Sequence, residues 1–166
     1  MRRVSVTGSF RGRDAVETET FGPVGRAVCQ DLILWSSGPG RPTIVPMPSV
    51  LIVDDDPNMR FLERMVLEAA DARFEVVGEA PSGEDAIRHW RDLQPQVIVM
   101  DDRLPGMRGL DAARLILAEQ PHQVIVLVTA QHDTATVAAA MALGVRGCLA
   151  KTDVRRLPGQ LLRYST

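Results

Sequence analysis

The sequence predicts an α/β fold in which helices cover both faces of a parallel sheet. From residue 49 onward, short apolar runs alternate with longer segments of helical periodicity. The runs are rich in β-branched residues and lack polar alternation, which is typical of strands buried on both faces. Four of them end directly before a residue suited to phosphate or metal chemistry, namely Asp54, Asp101, Thr129 and Lys151. Because ligands of open parallel sheets bind at the carboxyl ends of the strands, we expect these four side chains to lie together.

Composition narrows the class of protein. A chain of 166 residues is long enough for one well-buried domain with material left over. The formal net charge of −2 gives no support for a nucleic-acid interface, which usually needs a basic surface. Cys29 and Cys148 are too far apart for metal-ligand spacing, and no apolar stretch approaches the roughly 20 residues of a membrane helix. We therefore expect a cytoplasmic protein without a direct nucleic-acid or membrane partner.

The chain divides into residues 1–46 and 47–166. The first part is rich in glycine and proline and shows little periodicity, so we expect it to be mostly disordered. Two alternatives remain open for residues 1–46. In the first, Met47 is the natural start of the protein. In the second, the apolar stretch Leu32–Trp35 docks on a partner.

The second part alternates five strands with five helices. Apolar residues at helical spacing follow the first strand and predict a helix from Pro57 to about Ala70; they are Met59, Leu62, Met65, Val66 and Ala69. The elements predicted next are a strand over 74–78, a helix from the cap Ser82 through Trp90, a strand over 97–100, and a helix over 110–118. The last elements are a strand over 124–128, a helix over 133–143 that ends at Gly144, a strand over 148–150, and a final helix from about Asp153 that Pro158 makes short or kinked.

The predicted cluster suits phosphoryl transfer. Carboxylates brought together repel one another, so the arrangement needs a compensating cation or raised pKa values. Oxygen-rich sites of this kind favour Mg²⁺, which accepts phosphate oxygens as further ligands. A carboxylate is itself a competent nucleophile that forms an aspartyl phosphate. Thr129 can donate a hydrogen bond to a phosphoryl oxygen, and Lys151 can neutralise its charge.

Four ordered motifs make the resemblance specific: 53–57 (VDDDP), 101–110 (DDRLPGMRGL), 128–130 (VTA) and 147–151 (GCLAK). Together they resemble the receiver domain of bacterial response regulators in two-component signalling, in the style of receivers attached to helix-turn-helix (LuxR-type) regulators. The resemblance covers residues 49–166, which are 118 of the 166 residues. It implies a flavodoxin-like, doubly wound, five-stranded parallel sheet of order 2-1-3-4-5 with five helices.

The resemblance also implies roles for individual residues. Asp101 matches the phosphoacceptor. Asp54 and Asp55 match the acidic pair that holds Mg²⁺ together with Asp101 and the main-chain carbonyl of Arg103.

A second group of matched positions implies a switch. Thr129, Ala130 and Lys151 match the residues that bind the phosphoryl group. Cys148 stands where the family often has an aromatic residue that rotates inward, and a small thiol cannot fill that volume.

Simpler interpretations compete at some positions. Asp56 is expected to cap the first helix, and Asp102 to be a solvated loop acid because adjacent strand-end residues point to opposite faces. Thr129 taken alone suits a turn as well as a ligand.

The leading functional hypothesis is a stand-alone receiver that accepts a phosphoryl group on Asp101 with Mg²⁺. The donor is a sensor histidine kinase or a phosphotransfer protein, and the output is binding to a downstream protein effector. On this hypothesis the chain catalyses only its own phosphorylation and dephosphorylation. One alternative is the receiver half of a DNA-binding transcription regulator, since the chain ends at Thr166. Another is a Mg²⁺-dependent phosphohydrolase, which the short predicted loops disfavour.

Overall fold

The computed structural model describes residues 34–35, 43–44, 47–69, 74–130 and 133–164. Most of residues 1–46, which the sequence predicts to be mostly disordered, lie outside the described residues. The exceptions are two short strands. Leu34–Trp35 and Thr43–Ile44 pair with each other in antiparallel fashion. The boundary between residues 46 and 47, and the two alternatives for the first segment, stay predictions.

Five parallel strands form the sheet, as predicted. They are β1 (Ser49–Val53), β2 (Glu75–Ala80), β3 (Val97–Met100), β4 (Val124–Thr129) and β5 (Gly147–Ala150). Their order across the sheet is β2-β1-β3-β4-β5, which confirms the flavodoxin-like order 2-1-3-4-5. Every ladder is parallel, so all five carboxyl ends lie at one end of the sheet, called here the site end.

Five α-helices connect the strands. They are α1 (Pro57–Glu68), α2 (Gly83–Leu93), α3 (Gly109–Glu119), α4 (Thr134–Leu143) and α5 (Leu157–Leu161), the last preceded by a 3-10 helix over Lys151–Arg156. Asp56, Ser82 and Asp133 cap α1, α2 and α4 by accepting a hydrogen bond from a first-turn backbone N–H. Gly144 ends α4 in the left-handed conformation, with φ of 97°. The final helix is short, as the position of Pro158 predicts.

Two apolar layers explain why the strand sequences lack polar alternation. On one face of the sheet, Leu51, Ile98 and Ile125 pack against α2, α3 and α4. On the other face, Ile52, Val99 and Val126 pack with Leu67 of α1 and Leu161 of α5. Successive strand residues point to opposite faces, so both sets are buried, and these six strand side chains are fully inaccessible. The doubly wound arrangement therefore follows from the apolar runs themselves.

The buried face of α1 differs from the one that its apolar spacing suggests. The helix itself is confirmed, but Leu62 is 39% exposed and Met65 is 50% exposed. The residues that α1 buries are Glu63 and Leu67. Apolar side chains lie on more than one side of this helix, so contacts with the sheet and α5 select the buried face.

A buried amide joins the end of α2 to the segments that precede β3 and β4. Gln123 precedes β4 and is 3% exposed. Its Oε1 accepts a hydrogen bond from Trp90 Nε1 at 3.0 Å, and its Nε2 donates to the carbonyls of Pro95 and Gln96, each at 3.1 Å. Every polar atom of this side chain is therefore paired inside the protein.

We expect Gln123→Ala to lower the free energy of unfolding by about 2 kcal/mol, because it leaves the indole N–H of Trp90 and the carbonyl of Pro95 buried without these partners. Urea denaturation followed by circular dichroism measures this change. Gln120→Ala, which truncates an exposed glutamine at the end of α3, is the control and should change stability by less than about 0.5 kcal/mol. Equal effects of the two substitutions would contradict the role assigned to Gln123.

Candidate functional site

Backbone hydrogen bonds of the sheet fix two acidic residues at the site end. Asp54 follows β1, and its N–H donates to the carbonyl of Ala80 at 3.1 Å. Asp101 follows β3, and its N–H donates to the carbonyl of Val53 at 2.8 Å. Both residues thus continue the ladders of adjacent strands, and their side chains converge because the strands are parallel neighbours.

Three carboxylates meet at this point, as the sequence predicts. One carboxylate oxygen from each of Asp54, Asp55 and Asp101 lies within 4.8 Å of the other two. Asp54 and Asp101 are buried at 0% and 4% exposure, whereas Asp55 is exposed. The cluster therefore has two carboxylates anchored in the protein and one facing solvent, which leaves an open side.

Lys151 reaches the cluster from the end of β5. Its Nζ lies 2.5 Å from Asp54 Oδ2 and 2.8 Å from Asp101 Oδ2. Burial raises the pKa of Asp54, against the lowering effect of Lys151 and of the Asp56 N–H. Burial also opposes the charge of Lys151, but hydrogen bonds to Asp101 and Asp54 prevail and raise the pKa of its ammonium. Lys151 is thus held as a cation against two buried acids.

The other predicted residues take different positions. Thr129 is the last residue of β4 and is fully buried, while the next residue, Ala130, is exposed. The N–H of Arg103 donates to Asp101 Oδ1 at 3.3 Å, and the metal-binding role of its carbonyl stays a prediction. Cys148 is half-buried against the core that contains Leu127 and Ala140, and burial raises the pKa of its thiol.

Comparison with known proteins agrees with this geometry. The family model described as "Response regulator receiver domain" matches residues 50–161. This chain belongs to that family.

Among curated relatives, the receiver domain is 33% identical over 102 residues to the chemotaxis protein CheY of Thermotoga maritima, covering 61% of this chain and 83% of that one. It is 36% identical over 106 residues to the response regulator GacA of Pseudomonas aeruginosa, covering 63% of this chain and 49% of GacA. The chain thus spans about half the length of GacA.

Two solved structures show the same fold. A LuxR-family two-component response regulator from Aurantimonas sp. SI85-9A1 superposes with a TM-score of 0.68 and 28% identity, covering 72% of this chain and 85% of that one. The signal receiver domain of NarL from Mycobacterium tuberculosis gives a TM-score of 0.64 and 27% identity, covering 71% and 95%. The protein is therefore a receiver domain of a response regulator in two-component signalling. Among the helices of the described ranges, none is long and apolar enough to cross a membrane.

The structure corrects the prediction made for Asp102. It was expected to be a solvated loop acid, but it is 2% exposed. Its Oδ1 accepts from the N–H of Leu110 at 3.3 Å, and its Oδ2 pairs with Arg108 Nη2 at 2.5 Å. The first turn of α3 and Arg108 supply partners for this acid, so it joins the loop after β3 to α3.

Gly109 allows α3 to approach the site closely, a role that the motif did not reveal. A Cβ built on residue 109 would lie 1.9 Å from the main-chain oxygen of Asp101. Real Cβ atoms essentially never come this near to another heavy atom, so any larger residue must displace α3 or Asp101. The position of Asp101 therefore depends on a glycine eight residues later.

Helix α1 contacts the main chain of the acidic pair, which the sequence did not predict. Arg60 Nη1 donates to the carbonyl of Asp54 at 2.7 Å, and Arg60 Nε donates to Glu79 Oε2 at 3.0 Å. Arg64 Nε donates to the other carboxylate oxygen of Glu79 at 2.8 Å. Two guanidinium groups from one helix face thus bind an acid of β2, which fixes α1 beside the loop after β1.

Glu63 is a buried acid of α1 outside every motif. It is 1% exposed, and no described group donates a hydrogen bond to its Oε2. Burial first, and then the negative charges of Asp54 and Asp101, raise the pKa of Glu63 to about 8, although Lys151 opposes this rise. At neutral pH Glu63 is therefore mostly protonated, and it adds little charge to the receiver's acidic cluster.

Glu63 should make the stability of the receiver domain fall as the pH rises. Between the usual pKa of 4.5 and about 8, the unfolded chain ionises Glu63 while the folded protein keeps it protonated. Its favourable contribution is complete below the unfolded pKa and disappears as the pH rises through the folded pKa. We expect Glu63→Gln to gain stability relative to the parent from pH 5 to pH 8.5, by on the order of 4 kcal/mol.

Chemical denaturation at a series of pH values measures this difference. Glu68→Gln, which alters an exposed glutamate of the same helix, is the matched control and should follow the parent curve. A Glu63→Gln curve that stays parallel to the parent across the whole range would show that the carboxyl is ionised in the folded protein.

Proposed function

We propose that this receiver domain accepts a phosphoryl group on Asp101 from the phosphohistidine of a sensor kinase or a phosphotransfer protein. In this reaction an oxygen of Asp101 forms a bond to phosphorus. The P–N bond of phosphohistidine breaks, and the histidine nitrogen leaves with the electron pair. The observation that carries the proposal is the position of the Asp101 carboxylate, which is held by Lys151 at 2.8 Å and faces the other two acids of the cluster.

The contact distances favour Asp101 over Asp54 as the acceptor. Asp54 Oδ1 accepts from the N–H of Asp56 at 2.9 Å, and its Oδ2 lies 2.5 Å from Lys151. Asp101 is held by longer contacts, at 3.3 Å from the Arg103 N–H and 2.8 Å from Lys151. A nucleophile must present a lone pair to its target, so the less constrained carboxylate is the better attacking group.

The carboxylate cluster fits Mg²⁺. Hard oxygen donors at this spacing suit the ion, and the open side at Asp55 leaves room for water and phosphoryl oxygens. Asp54, Asp55 and Asp101 would hold it, with the carbonyl of Arg103 as a further ligand. When bound, Mg²⁺ neutralises charge on the transferring group.

Lys151 and Thr129 would respond to the new charge. A phosphoryl group adds about −1.5 to −2 charge at neutral pH, and Lys151 already points at the acceptor. Thr129 at the end of β4 supplies a hydroxyl for a phosphoryl oxygen, and Ala130 a main-chain N–H. The resulting shift of the β4–α4 loop and α4 would change a protein-binding face for a downstream effector in the cytoplasm.

A second candidate function is the receiver half of a DNA-binding transcription regulator. It is favoured by the LuxR-family neighbour and by the share of GacA that the chain covers, which is 49%. In that case α4 and its loop would act on an attached domain instead of a separate protein. The coding sequence that follows Thr166 distinguishes these two outputs.

We expect Asp101→Asn to abolish phosphorylation by acetyl phosphate in the presence of Mg²⁺, because an amide cannot form the acyl phosphate. Intact-protein mass spectrometry measures the added phosphoryl group. Asp92→Asn, which changes an exposed aspartate of α2, is the control and should be phosphorylated like the parent. Phosphorylation of Asp101→Asn at the parental level would place the acceptor elsewhere, and sustained phosphate release over many turnovers would favour a phosphohydrolase.

We expect Asp55→Asn to weaken Mg²⁺ binding about 10-fold or more, a loss of about 1.4 kcal/mol, because it removes one anionic ligand. Isothermal titration calorimetry with Mg²⁺ measures the affinity. Asp56→Asn is the matched control, since asparagine also caps helices well and Asp56 lies outside the cluster. Similar losses in both variants would show that the ion responds to total charge and not to the predicted ligands.

A further inference from the structure

Arg60 binds the main chain of both acidic residues that follow β1. Its Nη1 donates to the carbonyl of Asp54 at 2.7 Å and, over a longer distance of 3.4 Å, to the carbonyl of Asp55. These two residues supply two of the three carboxylates of the cluster. One guanidinium group therefore contacts the backbone of two proposed Mg²⁺ ligands without occupying a carboxylate oxygen of either.

Asp55 depends on this contact more than Asp54 does. Asp54 is buried, its N–H donates to the carbonyl of Ala80, and its Oδ1 accepts from the N–H of Asp56. Asp55 is exposed and lies beyond the end of the sheet ladder. Among the residues that the structure describes, its one hydrogen bond is the bond from Arg60. Arg60 is thus the polar side chain that restrains the backbone of Asp55.

An acid of β2 holds the guanidinium group of Arg60 in place. Arg60 Nε donates to Glu79 Oε2 at 3.0 Å, and the Arg60 side chain is only 17% exposed. Arg64 Nε donates to Glu79 Oε1 at 2.8 Å, and Arg64 Nη1 donates to Glu68 at 3.2 Å. Burial opposes the charge of Glu79, but hydrogen bonds from Arg64 and Arg60 prevail and lower its pKa. Two arginines and two glutamates therefore form a network without net charge, in which the planar fork of Arg60 is oriented in advance.

The charge balance of this network matters because Arg60 lies beside a proposed cation site. A single positive charge near bound Mg²⁺ repels the ion. Glu79 offsets the charge of Arg60, so the contact can orient the acidic pair at little electrostatic cost. Groups that orient metal ligands from outside the coordination shell typically change metal affinity by about 10- to 100-fold.

We propose that Arg60, oriented by Glu79, is a positioning residue for Mg²⁺ binding. By fixing the carbonyls of Asp54 and Asp55, it holds the turn after β1 in the form that presents both carboxylates to the ion. This inference rests on the proposed function, because it takes the carboxylate cluster as the Mg²⁺ site.

Charge and position have effects of opposite sign, so a substitution at Arg60 separates them. If Arg60 acted only through its charge, Arg60→Gln would strengthen Mg²⁺ binding, because a repelling cation is lost. Since Arg60 acts by positioning, we expect Arg60→Gln to weaken Mg²⁺ binding about 10-fold. Isothermal titration calorimetry of the full chain with magnesium chloride measures the affinity. Equal or tighter binding by Arg60→Gln would overturn the proposal.

Arg64→Gln is the matched control. It removes the same charge from the same helix and from the same partner, Glu79, but Arg64 makes no described contact with the acidic pair. We expect this variant to bind Mg²⁺ at least as tightly as the parent. Equal losses of affinity in Arg60→Gln and Arg64→Gln would overturn the proposal, because the effect would then come from the network as a whole.

Arg60→Lys keeps the charge and tests the geometry of the fork. An ammonium group lacks the planar fork that reaches Glu79 and the carbonyl of Asp54 together. We therefore expect its Mg²⁺ affinity to lie between those of the parent and Arg60→Gln. Urea denaturation of each variant shows that it is folded at the temperature of the titration. Tighter binding by Arg60→Gln than by Arg60→Lys would show that charge repulsion dominates, and would overturn the proposal.

The rate of phosphorylation by acetyl phosphate gives a second measurement. In Arg60→Gln the Mg²⁺ concentration for half-maximal rate should rise by the same factor as the dissociation constant, while the maximal rate falls less. A lower maximal rate at an unchanged half-saturating concentration would overturn the positioning role. Mg²⁺ binding by the parent with unchanged affinity in Arg60→Gln would reject this inference alone, whereas a parent that binds no Mg²⁺ would reject the proposed function as well.

Discussion

The contact of Lys151 with two buried carboxylates is the interaction on which the site depends. Two like charges about 4 Å apart repel by roughly 4 kcal/mol at the effective dielectric constant of a protein surface. Asp54 and Asp101 are held near each other by adjacent strands, so the sheet cannot relieve this repulsion by moving them apart. The ammonium at 2.5 and 2.8 Å offsets it. The end of β5 is therefore tied to the ends of β1 and β3 through charge as well as through packing.

The parallel order of the strands explains how much of the site the sequence could predict. A parallel ladder places the residue after each strand at one end of the sheet, so strand assignment alone brings Asp54, Asp101 and Thr129 together. The burial of Asp102 could not be predicted in this way, because it comes from the first turn of α3 and from Arg108. The role of Gly109 could not be predicted either, because the approach of α3 to Asp101 is a tertiary distance that residue spacing does not encode.

Helix α1 shows a second limit of prediction from sequence. Periodicity identifies an amphipathic helix, but it cannot choose between two apolar faces of similar strength. Here the choice follows from Arg60 and Arg64, which bind Glu79 and turn Leu67 toward the sheet. The same rotation buries Glu63 beside the acidic cluster, at a position where periodicity alone favours an apolar residue. Arg60, Glu63, Arg64 and Leu67 are three or four residues apart and share one side of the helix, so the two ion pairs with Glu79 lie beside the residues that are desolvated.

Cys148 limits the kind of switch that this receiver can use. Its thiol is half-buried with a raised pKa, so at neutral pH it behaves as a small apolar group and not as a reactive one. A side chain of this size cannot sweep the volume that an aromatic ring sweeps when it rotates inward. In the proposed switch, the part that moves would then be α4. Helix α4 contains no charged residue from Thr134 to Leu143, and Ala140 is its one fully buried side chain. A helix held mainly by small apolar contacts loses little interaction free energy when it shifts, since few polar partners must be exchanged.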